Sequence, residues 1–197
     1  MPSPVGHALA GVSVAYTADL AGRRRSSPLF VALCAGLAAL PDADLLIPGT
    51  LVPGAHRTFT HSVTAVFVAF IVAMVVTGKV TRLRALRFGA QARVAVVCAI
   101  AYATHLLLDW LGADSFPPYG IQLLWPWSDR WFISNLDVFR QTARRHFLTA
   151  PIIRQNLIAV AQELAILLPI VAVLWLVRVK ASARLSSEVT GRHHAPE

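Results

Sequence analysis

The chain has 197 residues, of which 56% are hydrophobic and only 14% are charged, and its formal net charge is +8. Soluble domains average about 25% charged residues, so this composition excludes an ordinary soluble protein and is typical of an integral membrane protein. In a membrane protein, basic loops hold the cytoplasmic side and face anionic lipid. The lipid bilayer is therefore the expected partner, and nucleic acid is not.

Five apolar segments predict an all-α fold, a polytopic membrane bundle of about five hydrophobic helices. In chain order they are roughly Val5–Leu20, Leu29–Ile47, Ser62–Gly78, Ala92–Gly112 and Leu157–Val177. A span needs about 20 apolar residues, so the last three segments are expected to cross the membrane. The first two either cross or lie short, tilted or partly buried against the others. Residues 1–180 are predicted to form one membrane-embedded domain, and residues 181–197 a polar, disordered cytoplasmic tail.

Basic residues between the segments predict the orientation. Arg23-Arg24-Arg25, the group from Lys79 to Arg93 and the group from Arg178 to Arg184 fall on one side if all five segments cross. The positive-inside rule makes that side the cytoplasm of a multi-pass plasma-membrane protein. The N-terminus and the long loop 113–156 then lie outside, and the C-terminus lies in the cytoplasm. The tryptophans of this loop suit the membrane–water interface.

Seven ionisable residues stand where apolar side chains would be expected. They are His7, Asp42, Asp44, His56, His61, His105 and Asp109. Under the orientation predicted from arginine and lysine alone, all seven lie toward the outer face. Each has a simpler explanation by itself, such as an interhelical hydrogen bond for His105 or a solvated turn for the first two aspartates. Their common side instead predicts one metal or acid–base site, because ionisable residues in spans are rare and usually functional.

The local spacing of these residues indicates how each would reach such a site. His105 and Asp109 are four residues apart, so both project from one face of one helix. Asp42 and Asp44 would point the same way only in an extended chain, which predicts that the second segment ends at Pro41 and that an acidic turn follows.

The two histidines of the loop before the third segment are too far apart for one helical face. His56 is expected to come from the loop and His61 from the first helical turn. Thr58 or Thr60 is expected to cap that helix.

Imidazoles and carboxylates together are a ligand set for Zn²⁺, with Mn²⁺ or Fe²⁺ as alternatives. Seven candidate ligands exceed a closed four-ligand zinc site, so they suit two divalent ions, or one ion with strong secondary partners. A two-metal site would activate water and clamp an oxyanion, commonly that of a phosphoester. Asp44 or Asp109 would take the proton, and Arg57 would neutralise a phosphate.

Four short motifs follow one another along the first part of the chain. They are Gly6-His7-Ala8-Leu9-Ala10-Gly11, Leu40-Pro41-Asp42-Ala43-Asp44, His56-Arg57-Thr58-Phe59-Thr60-His61-Ser62 and His105-Leu106-Leu107-Leu108-Asp109. Their order and spacing resemble the bacterial membrane-bound metal-dependent hydrolases, the YdjM/YbcI-like inner-membrane proteins, one of which is described as LexA-binding. The resemblance covers residues 5–137 and implies an inner-membrane location and a metal site. Thr58 stands where the family usually has glycine, so the turn is expected to differ slightly.

The leading hypothesis is a membrane-bound metal-dependent hydrolase that acts at the outer membrane face on a phosphoester-like, amphiphilic or lipid-linked substrate. One alternative is a regulatory or structural membrane protein whose metal has no open coordination position. The other is a metal-ion transporter, which would need ligands at mid-membrane and a polar relay on the inner side. The clustering of the ligands on one side disfavours transport.

Overall fold

The computed structural model describes residues 1–22, 25–46, 56–80, 88–143 and 148–192, with side chains as far as residue 183. Within these residues the protein is all-α, as predicted, with five α-helices and no β-sheet. The helices are α1 (Pro4–Gly22), α2 (Pro28–Ala39), α3 (Val63–Lys79), α4 (Phe88–Leu111) and α5 (Ala150–Arg192). Two 3-10 helices lie between α2 and α3: η1 (Leu40–Leu46) directly after α2, and η2 (Phe59–His61) shortly before α3.

Three stretches of helix are long and apolar enough to cross a membrane. They are Pro28–Leu46, which comprises α2 and η1, then α4, and then Ala150–Ala183 of α5. The predicted third segment is the shorter apolar helix α3, whose 17 residues cover about 26 Å at 1.5 Å per residue. That is less than the hydrocarbon thickness of about 30 Å, so crossing by α3 would require local thinning of the bilayer or partial burial against its neighbours.

Helix α1 lies at the centre of an antiparallel bundle and packs against α2, α4 and α5. Near its start, the backbone N–H of Ser3 donates to Glu163 of α5 at 2.7 Å. Near its end, Asp19 pairs with Arg178, which lies 15 residues after Glu163 on α5. Helices α1 and α5 therefore run in opposite directions, and the start of α1 marks one end of the bundle.

The crossing of α1 and α2 depends on a glycine. A Cβ atom added at Gly11 would lie 2.3 Å from the backbone oxygen of Cys34, closer than any real contact. Only glycine lets the two backbones approach this closely. Ser27 caps the start of α2 by accepting from the N–H of Phe30 at 3.2 Å, directly before Pro28 at the first helical position.

The helix of the second segment ends close to the predicted position, since α2 stops at Ala39, two residues before Pro41. Two other local predictions about this part of the chain are wrong. The chain is not extended after Pro41, because residues Leu40–Leu46 form the 3-10 helix η1. Neither Thr58 nor Thr60 caps α3. Ser62 does so, by accepting from the N–H of Ala65 at 3.2 Å.

The Trp-rich loop after α4 is folded onto the end of the bundle. Ile121 and Phe132 exchange two backbone hydrogen bonds of 3.1 and 2.9 Å, and Ile121 is completely buried against Tyr102 and Leu106 of α4. Gly120, at φ +89°, makes the turn into this pair, where a Cβ atom would strike the oxygen of Phe132. The loop thus covers the end of the bundle through apolar contacts, while Trp127 remains exposed.

Helix α5 is longer than its neighbours at both ends. Since Glu163 meets the start of α1, the 13 residues 150–162 extend past it by about 20 Å and stand beside the loop. At the other end α5 continues to Arg192, beyond residue 181, where the sequence places the start of the tail. The division into domain and tail remains a prediction, and several basic residues used for the orientation, 23–24 and 81–87, lie outside the described residues.

Candidate metal centre

All seven predicted site residues meet at the end of the bundle where α1 starts. His7 comes from the first turns of α1, Asp42 and Asp44 from η1, His56 from just before η2, His61 from the end of η2, and His105 and Asp109 from the end of α4. Four of them, His7, His61, His105 and Asp109, are buried to within 1% of complete. The antiparallel order of the helices explains this convergence, because it returns every second helix end to the same level.

Three of these side chains form a triangle of donor atoms. The Nε2 atoms of His61 and His105 are 3.0 Å apart, and Oδ2 of Asp109 lies 3.4 Å from the first and 3.3 Å from the second. Two ligands of one tetrahedral zinc ion lie roughly 3.3 Å apart, because each bond is about 2.0–2.1 Å long. The triangle therefore has the edge lengths of three ligands to one ion.

Hydrogen bonds on the outer side of the triangle set the protonation of both rings. His105 donates from Nδ1 to the backbone oxygen of Ala38 at 2.8 Å. The hydroxyl of Thr60 donates to Asp44 at 2.6 Å, so it accepts from Nδ1 of His61 at 2.9 Å. With Nδ1 protonated, each neutral ring turns the lone pair of Nε2 inward. Only a cation between them, a metal ion or an added proton, removes the repulsion of two lone pairs and a carboxylate.

Burial favours the neutral form of the His61 ring, which lies in η2, outside the membrane-spanning helices. Removal from water lowers the pKa of His61 below its ordinary value, although hydrogen bonding to Asp44 and the charge of Asp109 oppose the shift. Neutral imidazole is the form that binds a metal ion.

His7 adds a fourth side chain beside the triangle. Its ring stacks on that of His105 with centroids 3.7 Å apart, and its Nε2 lies 3.5 Å from Oδ1 of Asp109. Neither ring nitrogen of His7 and neither oxygen of Asp109 makes a hydrogen bond within the described part of the chain. Buried polar atoms are nearly always satisfied, so this set of unsatisfied donors and acceptors fits a missing ligand.

Asp42 connects the triangle to two further candidate groups. Its Oδ1 is 3.9 Å from Nε2 of both His61 and His105. Ligand atoms within 4.8 Å of one another also occur in His7–Asp42–His105 and in Asp42–His56–His61. The three groups overlap, and this arrangement accommodates one ion with alternative ligands or two neighbouring ions.

Asp44 lies behind the histidines and belongs to none of these three groups. One oxygen is 2.7 Å from Nδ1 of His56, and the other accepts from Thr60 and lies 3.4 Å from Nδ1 of His61. Such a carboxylate–histidine contact orients the ring and increases its basicity. Asp44 thus holds two imidazoles in place from outside the centre.

Arg57, the predicted phosphate contact, has a protein partner. Its guanidinium pairs with the buried carboxylate of Asp114 and lies over the ring of Trp131, 5.6 Å from the ring centre. Asp114 also accepts from the backbone N–H of Gly120 at 2.8 Å. The positive φ in this turn falls on Arg57, at +69°, whereas Thr58, where the family usually has glycine, has φ −109°.

A cleft of about 810 Å³ leads from the surface to this region. Its polar wall contains His56 and Arg57, and its apolar wall contains Leu45, Phe116 and Ile152. His56, whose side chain is 26% exposed, is the cluster residue that borders both the cleft and the buried centre. A ligand with an anionic group and an apolar part would match both walls.

Several residues that support the centre were not predicted for that role. Thr60 was expected as a helix cap, and a backbone carbonyl such as that of Ala38 has no sequence signature. Tyr102 donates from its hydroxyl to the backbone oxygen of Thr60 at 2.7 Å and holds η2. Asp114 follows Asp109 by five residues in a chain with only 10 acidic residues, and this scarcity was the one available signal.

Comparison with known proteins supports a membrane location for this bundle. The model of the family described as YdjM inner membrane protein matches residues 1–184 and so covers every residue of the centre. No curated protein and no solved structure matches the chain.

Proposed function

We propose that the chain, which belongs to the YdjM inner membrane protein family, is a membrane-bound metal-dependent hydrolase. Its buried metal centre would act on a substrate bound in the adjoining cleft. The observation that carries this proposal is the triangle of His61, His105 and Asp109, with edges of 3.0–3.4 Å and two inward lone pairs. Zinc is the ion we propose first, with manganese or iron(II) as alternatives.

The ligands divide into two sets. His61, His105 and Asp109 hold the first ion. His7 and Asp42, together with His56, complete its coordination or hold a second ion next to it. A bound ion of this kind supplies Lewis acidity that activates water and stabilises a developing oxyanion.

The residues at the cleft provide proton transfer and binding. Asp44, one oxygen of which lies 2.7 Å from Nδ1 of His56, orients that imidazole. His56 borders the cleft and is placed to accept a proton there. Arg57, held by Asp114, presents positive charge to an anionic group of the substrate.

The cleft supports a phosphoester with an apolar part as substrate. Its lining combines the polar side chains of His56 and Arg57 with the apolar side chains of Leu45, Phe116 and Ile152. A lipid-linked or otherwise amphiphilic molecule can place its ester at the polar wall and its hydrocarbon at the apolar wall. We propose this class of substrate.

Metal analysis of the purified protein is the first test. Wild type should contain one or two divalent ions per chain, and His61→Ala and Asp109→Ala should lose them because each removes a corner of the triangle. The matched control is Asp129→Ala, which removes an exposed aspartate and should keep the metal. Unchanged metal content in both site variants would sink the proposed centre.

A hydrolysis screen with phosphoesters and lipids tests the activity. We expect turnover in metal-loaded wild type, and loss of turnover in His56→Ala with the ion at His61, His105 and Asp109 retained. Metal without turnover on every substrate would favour the alternative, a structural or regulatory metal site. The near-complete burial of the triangle supports that alternative, because structural sites are closed.

Transport of metal ions is the weaker candidate. The ligands lie together at one end of the bundle, and the buried acid near the other end of α1, Asp19, already has Arg178 as its partner. A transporter would need ligands near the middle of the membrane.

We propose that the end carrying the centre faces outward, with the N-terminus outside and the C-terminus cytoplasmic. The basic groups after α3 and in the second half of α5 support this orientation. Reporter fusions at residues 3 and 183 test it. A cytoplasmic signal from the first fusion would reverse the orientation and leave the centre itself unaffected.

A further inference from the structure

A second cavity, of about 470 Å³, lies beside the cleft that leads to the metal centre. The two share three lining residues, Ser115, Gln141 and Gln155, so they are adjacent to each other. The second cavity adds two arginines, Arg140 from the loop and Arg154 from α5. The proposed function assigns no role to this cavity.

The candidate span Ala150–Ala183 of α5 is about 51 Å long, well beyond the hydrocarbon thickness of about 30 Å, so its first turns can extend into the headgroup region. Arg154 lies in these turns, nine residues or about 14 Å before Glu163, which is level with the start of α1. In the headgroup region a guanidinium group avoids the cost of burying its charge in hydrocarbon. A charged ligand can therefore reach it.

The charge of the cavity is uncompensated. No acidic residue lines it, and neither Arg140 nor Arg154 pairs with a carboxylate within the described ranges. The acid of the adjoining cleft, Asp114, is already engaged by Arg57 and by the N–H of Gly120. Two guanidinium groups around one concave space, without a counter-charge, attract an anion.

Hydrogen bonds fix the floor between the two arginines. The side-chain oxygen of Gln141 accepts from the N–H of Ser115 at 2.9 Å, and Gln155 donates to the backbone oxygen of Gln141 at 3.4 Å. The N–H of Arg140 donates to Gln162 of α5 at 3.0 Å, which joins the loop to the helix. The loop and α5 are thereby held together beside the cavity, which fixes the backbone positions of Arg140 and Arg154 relative to each other.

We infer that Arg140 and Arg154 form an anion subsite for a second anionic group of the substrate, next to the cleft served by His56 and Arg57. The inference rests on the proposed function for the position of the first anionic group. It narrows the substrate to molecules with two anionic groups, such as a phosphoester that carries a second phosphate or a carboxylate. Substrates with a single phosphate would leave both arginines without a partner.

Binding of matched probes to the zinc-loaded full-length protein in detergent tests this subsite. The probes are alkyl phosphates with three, six or nine carbons and the alkanediol bisphosphates of the same lengths, measured by titration calorimetry. At one length or more, the bisphosphate should bind about tenfold more tightly than its monophosphate, because charged hydrogen bonds of this kind are worth about one decade in affinity. Arg140→Ala and Arg154→Ala should remove this advantage and leave monophosphate binding unchanged.

Arg130→Ala is the control, since Arg130 is an exposed arginine of the same loop that lines neither cavity. It should retain the full advantage of the bisphosphate. Equal binding of both probes by wild type, or an advantage that survives in the double variant Arg140→Ala/Arg154→Ala, would overturn the inference. Unchanged monophosphate binding shows that the variants are folded.

The binding comparison needs no turnover, so its outcome is separate from that of the proposed function. Hydrolysis without tighter binding of the bisphosphate would support the hydrolase proposal and reject the subsite. Tighter binding of the bisphosphate without hydrolysis would support the subsite and reject the hydrolase proposal.

Nanodiscs distinguish a lipid headgroup from a soluble ligand as the source of the second anion. If phosphatidylglycerol in place of phosphatidylcholine competes with the bisphosphate, the subsite takes a lipid headgroup. If it does not compete, the subsite takes a soluble anion.

Discussion

Buried carboxylates at the two ends of the bundle have opposite surroundings. Near the far end of α1, Asp19 lies 2.6 Å from Nε of Arg178 and accepts from the N–H and hydroxyl of Ser26 at 2.8 and 2.5 Å. At the other end, Asp109 has three imidazoles within 3.3–3.5 Å and makes no hydrogen bond among the described residues. Asp19 thus has a permanent cation beside it and two hydrogen bonds from Ser26 to one oxygen, whereas, in the described part of the chain, Asp109 has only imidazoles beside it and no hydrogen bond to either oxygen.

This difference separates a residue that stabilises the fold from one that serves a ligand. Arg178 also covers the ring of Tyr16 at 4.7 Å, so its guanidinium contacts both a carboxylate and an aromatic ring of α1. A buried ion pair of this type is costly to break because either partner alone is an isolated buried charge. At the site end, the same cost is already present in the metal-free protein and is relieved only by a cation.

The largest expected effect comes from exchanging the two aspartates for asparagine in the metal-free protein. Asp19→Asn should lower the free energy of unfolding by about 3–5 kcal/mol, because it leaves Arg178 without its counter-charge. Asp109→Asn should be neutral or stabilising, because it removes a buried carboxylate that makes no hydrogen bond. Unfolding in mixed micelles with a chelator measures both, and equal destabilisation by the two variants would contradict the comparison.

A smaller effect is expected where α1 crosses α2, between the two ends. Gly11→Ala should lower the free energy of unfolding by about 1–3 kcal/mol, because the added Cβ would push the backbone of Cys34 away from α1. It should also weaken metal binding, because Gly11 lies only one helical turn after His7. Gly36→Ala is the matched control, since a Cβ there meets nothing within 4 Å. Thermal unfolding and metal titration should leave this control like wild type, and equal losses in both variants would contradict the close contact.

Asp44→Asn tests the support behind the centre. It should lower metal affinity about 10–100-fold, as is typical when a carboxylate that orients a ligating histidine is removed. Competition with a chromogenic chelator measures this affinity, and the exposed Asp129→Asn should leave it unchanged. A complete loss of metal would instead make Asp44 a direct ligand, as the sequence predicted.

The smallest effect is expected for the hydroxyl that holds η2. Tyr102→Phe should lower the free energy of unfolding by about 0.5–1.5 kcal/mol through loss of its hydrogen bond to Thr60, with metal content unchanged. Tyr119→Phe, at an exposed position, should have no effect. A loss of metal in Tyr102→Phe would show that η2 is held by this bond alone.

The sequence predicted the membrane class and five helices because apolar periods of about 20 residues are a local property of the chain. It also predicted that His7, His61, His105 and Asp109 share one end, since each sits at a helix end and successive helices alternate in direction. It misplaced the local backbone at Pro41 and the cap of α3. Extended and 3-10 backbones after a proline differ by contacts that no short window contains.

Residue types and spacing by themselves determined which side chains gather at one end of this bundle. Only the tertiary structure decided the role of each side chain. The Nε2 atoms of His61 and His105 face the centre because their Nδ1 atoms are hydrogen bonded to Thr60 and to the backbone oxygen of Ala38. It also separated Asp109, which has no hydrogen bond among the described residues, from Asp19, which forms an ion pair with Arg178 and accepts from Ser26. The physical reason is that a charge acquires its role from the partners within about 4 Å, and those partners come from residues far away in the chain.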